Sequence, residues 1–274
     1  MQEGFSFLCS TEIPLVILNV SRGGPGVGSI QPGQADYYQA TRGGGNGDYH
    51  LLVFAPSSIQ EAVDLMPQAF QIAQEYRNPV MLLADGMLGQ MMEPVVLFEP
   101  IPADRGEDIP GIKPWALTGT GEKRPHNVIK SLYLKPEELE VRILERHRKY
   151  EKAKKELVRY ETVGLEDAEA VMVAYGSTAR IAEEAIEILA EEGIKAGLIR
   201  PISLWPYPYE AFDSIPDSVK AVVSVELSMG QMLDDVKIGC RGRLPVSLSG
   251  RAGGILITPR EIASNVRKAL GVER

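Results

Sequence analysis

Ile13-Pro14-Leu15-Val16-Ile17-Leu18-Asn19-Val20, running directly into Ser21-Arg22-Gly23-Gly24-Pro25-Gly26-Val27-Gly28-Ser29, sets the fold class of this chain. The first eight residues form a largely apolar run rich in β-branched side chains. That is the pattern of a strand buried on both faces in a parallel sheet. Open α/β sheets bind ligands beyond the carboxyl ends of their strands, so the loop that follows stands where a site belongs. Its glycines let backbone N–H groups come close to a ligand. Arg22 adds a planar, permanently charged fork suited to a carboxylate or a phosphate. A tight turn carrying a surface arginine satisfies the same spacing. No Gly-Lys-Ser/Thr follows, so the loop is not a P-loop, and its glycines do not have the dinucleotide-binding spacing.

Working outward, Met1–Cys9 is short and mixed and does not read as a clean domain start. Downstream, Leu51–Ala55 reads as a second strand. Ser57, three residues before Gln60, has capping-box spacing for a helix running towards Tyr76, with a kink or break at Pro67. Pro79 to Ala84 reads as a further buried strand closing on the turn Asp85-Gly86. The character changes after Val95. Prolines cluster between Pro94 and Pro125, and Pro136 to Tyr160 interleaves Glu, Arg and Lys, as in a solvated helix bridging two domains. A second α/β unit begins near Ala168. Its strands are Ala170–Ala174, Lys195–Ile199, Ala221–Val225 and Val246–Leu248. Its helices are Ala179–Glu192, Gln231–Cys240 and a last one opening on Thr258-Pro259-Arg260-Glu261, with an N-cap Thr, a first-position Pro and a Glu three residues on. Alternation of strand and helix implies a doubly wound parallel sheet. The expected division is 1–110, a first partial domain; 111–167, a Pro-rich excursion and charged linker helix; and 168–274, the second domain.

The 274 residues carry a net charge of −8, which argues against nucleic acid and against an anionic membrane surface as partners. Two cysteines, Cys9 and Cys240, are too few for a disulfide framework or an iron–sulfur cluster, and they fit a reducing compartment. His50, His126 and His147 show no metal-ligand spacing. No run approaches the ~20 apolar residues of a membrane helix, and no basic segment precedes an apolar core as in a signal peptide. A cytoplasmic location is expected. There is no Ser-His-Asp order, no paired-carboxylate signature and no metal site, so no complete catalytic set stands in this chain.

Other candidates carry two readings each. Arg42 with Gly43-Gly44-Gly45-Asn46-Gly47 is a mobile surface loop, or a pocket wall that orders over a ligand. Asp85 and Glu226, at strand ends, are turn residues or acids. Gly176-Ser177-Thr178 is a strand-to-helix turn, or an anion seat at a helix N-terminus. The methionines of Met87–Met92 and Met229–Met232 read as packing.

Taken in order, several segments resemble one family. They are Arg22-Gly23-Gly24-Pro25-Gly26-Val27-Gly28, Gln34-Ala35-Asp36-Tyr37, Arg42-Gly43-Gly44-Gly45, Gly47-Asp48-Tyr49, Asp85-Gly86 with Gly89-Gln90-Met91-Met92-Glu93, Ala174-Tyr175-Gly176-Ser177, Arg200-Pro201-Ile202, and Val225-Glu226 with Gly230-Gln231. The set is similar to the alpha subunit of 2-oxoacid:ferredoxin oxidoreductases, most of all the 2-ketoisovalerate (3-methyl-2-oxobutanoate) branch. The resemblance implies an α/β fold, with an N-terminally truncated thiamine diphosphate pyrimidine-binding-like domain before a transketolase C-terminal-like doubly wound domain. It implies oxidative decarboxylation of a branched-chain 2-oxoacid with coenzyme A, giving acyl-CoA, CO2 and reduced ferredoxin, by a subunit inactive alone. Thiamine diphosphate and Mg would be held mainly by a partner. Beta, gamma and delta-type subunits would join the chain, with the iron–sulfur clusters in these partners and not in this chain. Arg22 matches the family arginine that holds the substrate carboxylate, with Gly23 and Gly24 beside it, and Arg42, Gly43 and Gly44 are further pocket candidates. The family segment with a Thr-containing loop and a pyrimidine-contacting Glu has no counterpart here. Two other functions stay open: a non-catalytic assembly fragment and a small-anion-binding module.

Overall fold

Strand and helix alternate along the chain because apolar runs of strand length are punctuated by capped, amphipathic stretches. The computed structural model describes residues 1–99, 115–117 and 119–272. The first part contains α1 (Gln2–Thr11), β1 (Val16–Ser21), α2 (Tyr37–Thr41), β2 (Leu52–Phe54), α3 (Ile59–Tyr76), β3 (Val80–Asp85) and α4 (Gly86–Gln90). Then come α5 (Pro136–Glu156), β4 (Tyr160–Val163), β5 (Ala170–Ala174), α6 (Ser177–Glu191), β6 (Ala196–Pro201), β7 (Ser203–Trp205), β8 (Ala221–Glu226), α7 (Leu233–Cys240), β9 (Val246–Gly250) and α8 (Pro259–Leu270). Much of the proline-rich excursion falls outside the described residues.

Two sheets result. The first has the order β1-β3-β2-β7 and the second β4-β6-β5-β8-β9. β1, β3 and β2 run parallel, and β7 joins β2 antiparallel. The second sheet is parallel except for its edge strand β4. β7 therefore comes from the second half of the chain and completes the sheet of the first half.

Packing explains why the halves interlock. Leu65, Ala69 and Ile72 of α3, with Ala153 of α5, cover Leu52, Phe54, Val80 and Leu82 on one face of the first sheet. On its other face, Val53, Met81 and Leu83 join Val171, Val173 and Val222 of the second sheet in one cluster, with Tyr37, Phe212 and Val236 between them. α6 and α8 cover the far face of the second sheet. Each fully buried Val or Leu contributes about 1.5–3 kcal/mol, so the shared middle layer ties both sheets together.

Several sequence expectations change here. β1 is not buried on both faces. It pairs only with β3, and Leu18 and Val20 remain 56% and 44% exposed because α3 covers the centre of the sheet rather than this edge. Met1–Cys9 is mostly helix, with Phe5 and Cys9 buried. The cap of α3 is Ser58, which accepts from the Glu61 N–H, not Ser57 with Gln60. Glu61 turns back to accept from the Ser57 N–H and hydroxyl and from Arg200. Pro67 does not end α3, because burial of Leu65, Ala69, Ile72, Ala73 and Tyr76 outweighs the one backbone bond it forfeits. The charged helix α5 is no free bridge. Tyr150 accepts from the His50 N–H at 2.9 Å, Lys149 donates to Glu12 and to the Tyr76 carbonyl, and Ala153 is fully buried.

The last helix begins as its sequence dictates. Thr258 accepts from the Glu261 N–H at 3.2 Å, and the Glu261 carboxylate accepts from the Thr258 N–H at 2.9 Å. Thr258→Ala is expected to lower stability by about 1 kcal/mol. A shifted urea midpoint at unchanged slope reads this out.

Candidate active-site cleft

The carboxyl ends of β1, β3, β5, β8 and β9 converge, and each end is fixed by its own polar contact. The loop after β1 closes on itself: Gly23 N–H donates to the Gln31 carbonyl and Ser29 N–H to the Gly23 carbonyl, both at 2.8 Å. Gly26 and Gly28 have φ of 63° and 52°, a left-handed backbone that disfavours side chains. The loop then meets the one after β9. A Cβ on Gly23 would lie 2.8 Å from the Gly253 carbonyl carbon, and the Ser29 hydroxyl donates to the Gly253 carbonyl at 3.1 Å.

Gln34 locks this end of the molecule. Its amide donates to the Tyr175 carbonyl at 2.9 Å after β5, and its oxygen accepts from the Leu227 N–H at 3.0 Å after β8. Asp85, at the end of β3, caps α4 through Met87 and Leu88 N–H and accepts from the Ser177 N–H and hydroxyl. The anion seat at Gly176-Ser177-Thr178 is thus filled by the chain's own carboxylate. Glu226 is likewise consumed. It is fully buried and accepts from Ser224, from Ser228, and from the N–H groups of Gln231, Met232 and Leu233. Both acids are therefore structural groups in this fold.

Between these ends lies a cleft of about 650 Å³, within the usual range for ligand pockets. The glycine loop walls it with Gly23 and Gly24, the start of α2 with Asp36 and Tyr38, and the turns after β8 and β9 with Met229 and Gly253. Asp36 is held by Asn19 of β1 at 3.1 Å, and Gln231 bridges the Tyr38 N–H and the Ala35 carbonyl at 2.8 Å each. Tyr38 donates to Asp234, which pushes its phenol up to about 12 and keeps it neutral. No Lys, Arg or His stands among the described residues lining the cleft.

The sequence candidates separate. The Arg22 guanidinium folds back over its own loop, donating to the carbonyls of Gly23 (3.2 Å), Gly26 (3.0 Å) and Val27. Gly23 and Gly24 reach the cleft; Arg42 does not line it. Arg42 pairs with Asp235 at 2.9 Å and lies 4.8 Å over the Tyr38 ring. Gly44 and Gly45 donate their N–H groups to the Tyr49 hydroxyl, and Gly45 packs on the backbone of Gln2. That run is a wrapped loop away from the cleft. Met232 is buried as packing, but Met229 is 79% exposed at the cleft wall. Sequence reasoning gave no site role to Asp36, Tyr38 or Gly253; the signal available for Asp36 was its place in the Gln34-Ala35-Asp36-Tyr37 segment. Burial raises the Cys9 and Cys240 thiols to about 12 and about 11, so neither is a ready nucleophile. Among the described residues, no group of three or more His, Cys, Asp or Glu is placed to hold a metal ion.

Comparison with known proteins decides the family. Residues 1–156 match the model described as pyruvate flavodoxin/ferredoxin oxidoreductase, thiamine diphosphate-binding. Residues 168–262 match pyruvate:ferredoxin oxidoreductase core domain II. The chain belongs to the 2-oxoacid:ferredoxin oxidoreductase family. Ketoisovalerate oxidoreductase subunit VorB of Methanothermobacter marburgensis is 43% identical over 98% of this chain and 75% of its own length. 2-Oxoglutarate synthase subunit KorA of Methanocaldococcus jannaschii is 34% identical over 96% of this chain and 75% of its own. The fold matches 2-oxoglutarate:ferredoxin oxidoreductase from Magnetococcus marinus, solved with 2-oxoglutarate, coenzyme A and succinyl-CoA bound. The TM-score is 0.79 at 22% identity, over 98% of this chain and 51% of that one. This oxidoreductase-family chain thus spans three quarters of these two curated relatives and about half of the solved chain.

Proposed function

We propose that the chain is the alpha subunit of a thiamine diphosphate-dependent 2-oxoacid:ferredoxin oxidoreductase acting on an aliphatic, branched-chain 2-oxoacid. The carrying observation is the cleft at the converging strand ends, with the Arg22 loop as one wall and no cation among its described lining residues. A dicarboxylate would leave its second charge unpaired there, which is costly, whereas an aliphatic side chain meets Pro25, Leu227 and Met229. The family relation to the ketoisovalerate subunit supports the same side chain.

The cleft fits the flat, mostly apolar half of thiamine diphosphate, with Asp36 and Gln231 as its polar groups. It offers no acidic cluster for a magnesium ion, so the reading assigns the diphosphate and Mg to a partner. When bound, the thiamine ring supplies the electron sink for the carbanion left by CO2 loss. Arg22, Gly23 and Gly24 bind the substrate carboxylate. A carboxylate brings a full negative charge and two oxygens that match the guanidinium fork, whereas the Gly26 and Val27 oxygens are neutral, so a carboxylate can draw Arg22 off them. Decarboxylation disperses that charge, so the pairing positions substrate rather than lowering the barrier. Coenzyme A would accept the acyl group, and iron–sulfur clusters, assigned to beta, gamma and delta-type partners, would supply the one-electron relay by which the two electrons reach two ferredoxins. The subunit is inactive alone and cytoplasmic. No described helix is both long and apolar enough to cross a membrane.

The test is the complex rebuilt with its partners. CoA-dependent reduction of an acceptor dye is expected with 2-ketoisovalerate in preference to pyruvate and 2-oxoglutarate. Activity with none of them refutes the reading. Arg22→Ala is expected to raise KM roughly 10- to 100-fold with a smaller change in kcat. An unchanged KM with a lowered melting temperature would make Arg22 a loop staple only.

A further inference from the structure

We propose that the first sheet carries, at the end opposite the cleft, a separate seat for a phosphate group built around Arg146. The seat is a cavity of about 190 Å³ among the ends of α1 and α3, the segment before α5, and α5 itself. Glu12 and Arg77 stand just before β1 and β3, so this is the amino end of the sheet. The cleft lies at the carboxyl ends, and the two proposals are independent.

Arg146, on α5, is only 6% exposed and makes no hydrogen bond or ion pair among the described residues. Its Nε is enclosed. Nη1 and Nη2 are not, and they are the part of the side chain that an occupant of the cavity can reach. An arginine cannot escape its charge by losing a proton. A buried charge without a partner is costly, so one that persists calls for a counter-ion.

The surroundings add positive charge rather than offset it. Arg77, Lys130 and Arg142 also line the cavity, and Glu12 is the only acid among its described lining residues. Glu12 is shared between Lys149 at 2.6 Å and Arg77 at 3.3 Å. Arg142 pairs with Glu145 at 3.0 Å. Lys130 lies 4.8 Å over the Tyr133 ring and has no carboxylate partner among the described residues. Helices α1 and α3 end here, and each end brings about half a negative charge. Set against these five cations, the two carboxylates and the helix ends leave a surplus of about two positive charges, which a phosphate dianion matches. The guanidinium fork also fits phosphate oxygens in geometry. At about 30 Å³ for each water, the cavity has room for roughly six, enough for a tetrahedral oxyanion but not for a large group attached to it. The remainder of a phosphate ester would lie outside the mouth.

The experiment is titration calorimetry with thermal melting on the full chain, alone and in its complex, in phosphate-free buffer at constant ionic strength. The probes are inorganic phosphate and glycerol 3-phosphate, with acetate and chloride as singly charged controls. Phosphate is expected to bind with unit stoichiometry and raise the melting temperature, and acetate and chloride to bind at least about tenfold more weakly. Tighter binding of inorganic phosphate makes the ligand a free anion, and tighter binding of the ester makes it a phosphate carried on a larger molecule. Arg146→Met should weaken phosphate binding about 10- to 100-fold. It should also raise the melting temperature in phosphate-free buffer, because it removes a buried charge that has no partner in the protein. Lys130→Glu, on the exposed rim, should weaken binding about fivefold without lowering the melting temperature. Binding of neither probe overturns the proposal, and so does equal binding of acetate. Wild-type phosphate binding by Arg146→Met overturns it too; should that variant not fold, wild-type binding by Lys130→Glu does so.

Discussion

Glu226→Ala is expected to lower the unfolding free energy by about 3–5 kcal/mol, the scale seen when one partner of a buried charged network is removed. The side chain is fully buried and takes hydrogen bonds from the hydroxyls of Ser224 (2.9 Å) and Ser228 (2.5 Å). It also takes the N–H groups of Gln231, Met232 and Leu233 at 2.8 to 3.0 Å, which open α7. Alanine leaves four of these five donors without the acceptor they use; only the Gln231 N–H keeps a second one, the Ser228 hydroxyl at 3.2 Å. Glu226→Gln keeps the volume but turns part of the carboxylate edge into a donor, so it recovers only part of the loss. Urea denaturation of the full chain at constant slope measures the effect. A loss under about 1 kcal/mol would mean that water replaces the carboxylate, and the structural role given to Glu226 would fall. Any accompanying loss of activity should follow the melting temperature and leave the pH profile in place.

Gly23→Ala is the second large effect, expected on function rather than stability. Its Cβ would stand 2.8 Å from the carbonyl carbon and 2.9 Å from the oxygen of Gly253, both backbone atoms that cannot rotate away. The loops after β1 and β9 must then part by several tenths of an ångström to about 1 Å, and displacement on that scale costs catalysis about 100-fold. We expect kcat/KM of the assembled enzyme on its 2-oxoacid to fall by about that factor. Gly24→Ala is the control. A Cβ there meets nothing within 4 Å, so it fills cleft volume without separating the loops. Equal effects from the two substitutions would remove the loop contact from the account of the site.

What the sequence made legible was local. The four parallel strands of the second sheet fall within one or two residues of their expected places because each is a short apolar run between turn signals, whereas the antiparallel edge strand β4, exposed along its whole length, falls inside the stretch expected as charged linker. The start of α8 was written out in Thr258-Pro259-Arg260-Glu261. The position of the glycine loop at a strand end was also readable, since it follows β1 directly. What failed was everything that depends on distant partners. Gln34 joins Tyr175 and Leu227, and Asp85 joins Ser177, across separations that no periodicity reports. Arg42 looked like a pocket arginine because of its neighbours in sequence, but Asp235 on α7 and the Tyr38 ring hold it elsewhere. Ser57 and Ser58 are chemically alike, and what separates them is that Glu61 is anchored by Arg200. β1 read as central because its composition is apolar, whereas strand order is a property of the whole sheet.

The antiparallel pairing of β2 with β7 also imposes an order on biosynthesis. Phe54 and Val53 leave the ribosome early, but their hydrogen-bonding neighbours Ser203 and Trp205 emerge only after most of the polypeptide has been made. During that interval the nascent chain carries an unpaired, wholly apolar strand edge, the kind of surface that recruits foreign strands and chaperones alike. Closure of the first sheet is therefore a late event, timed by translation of the second.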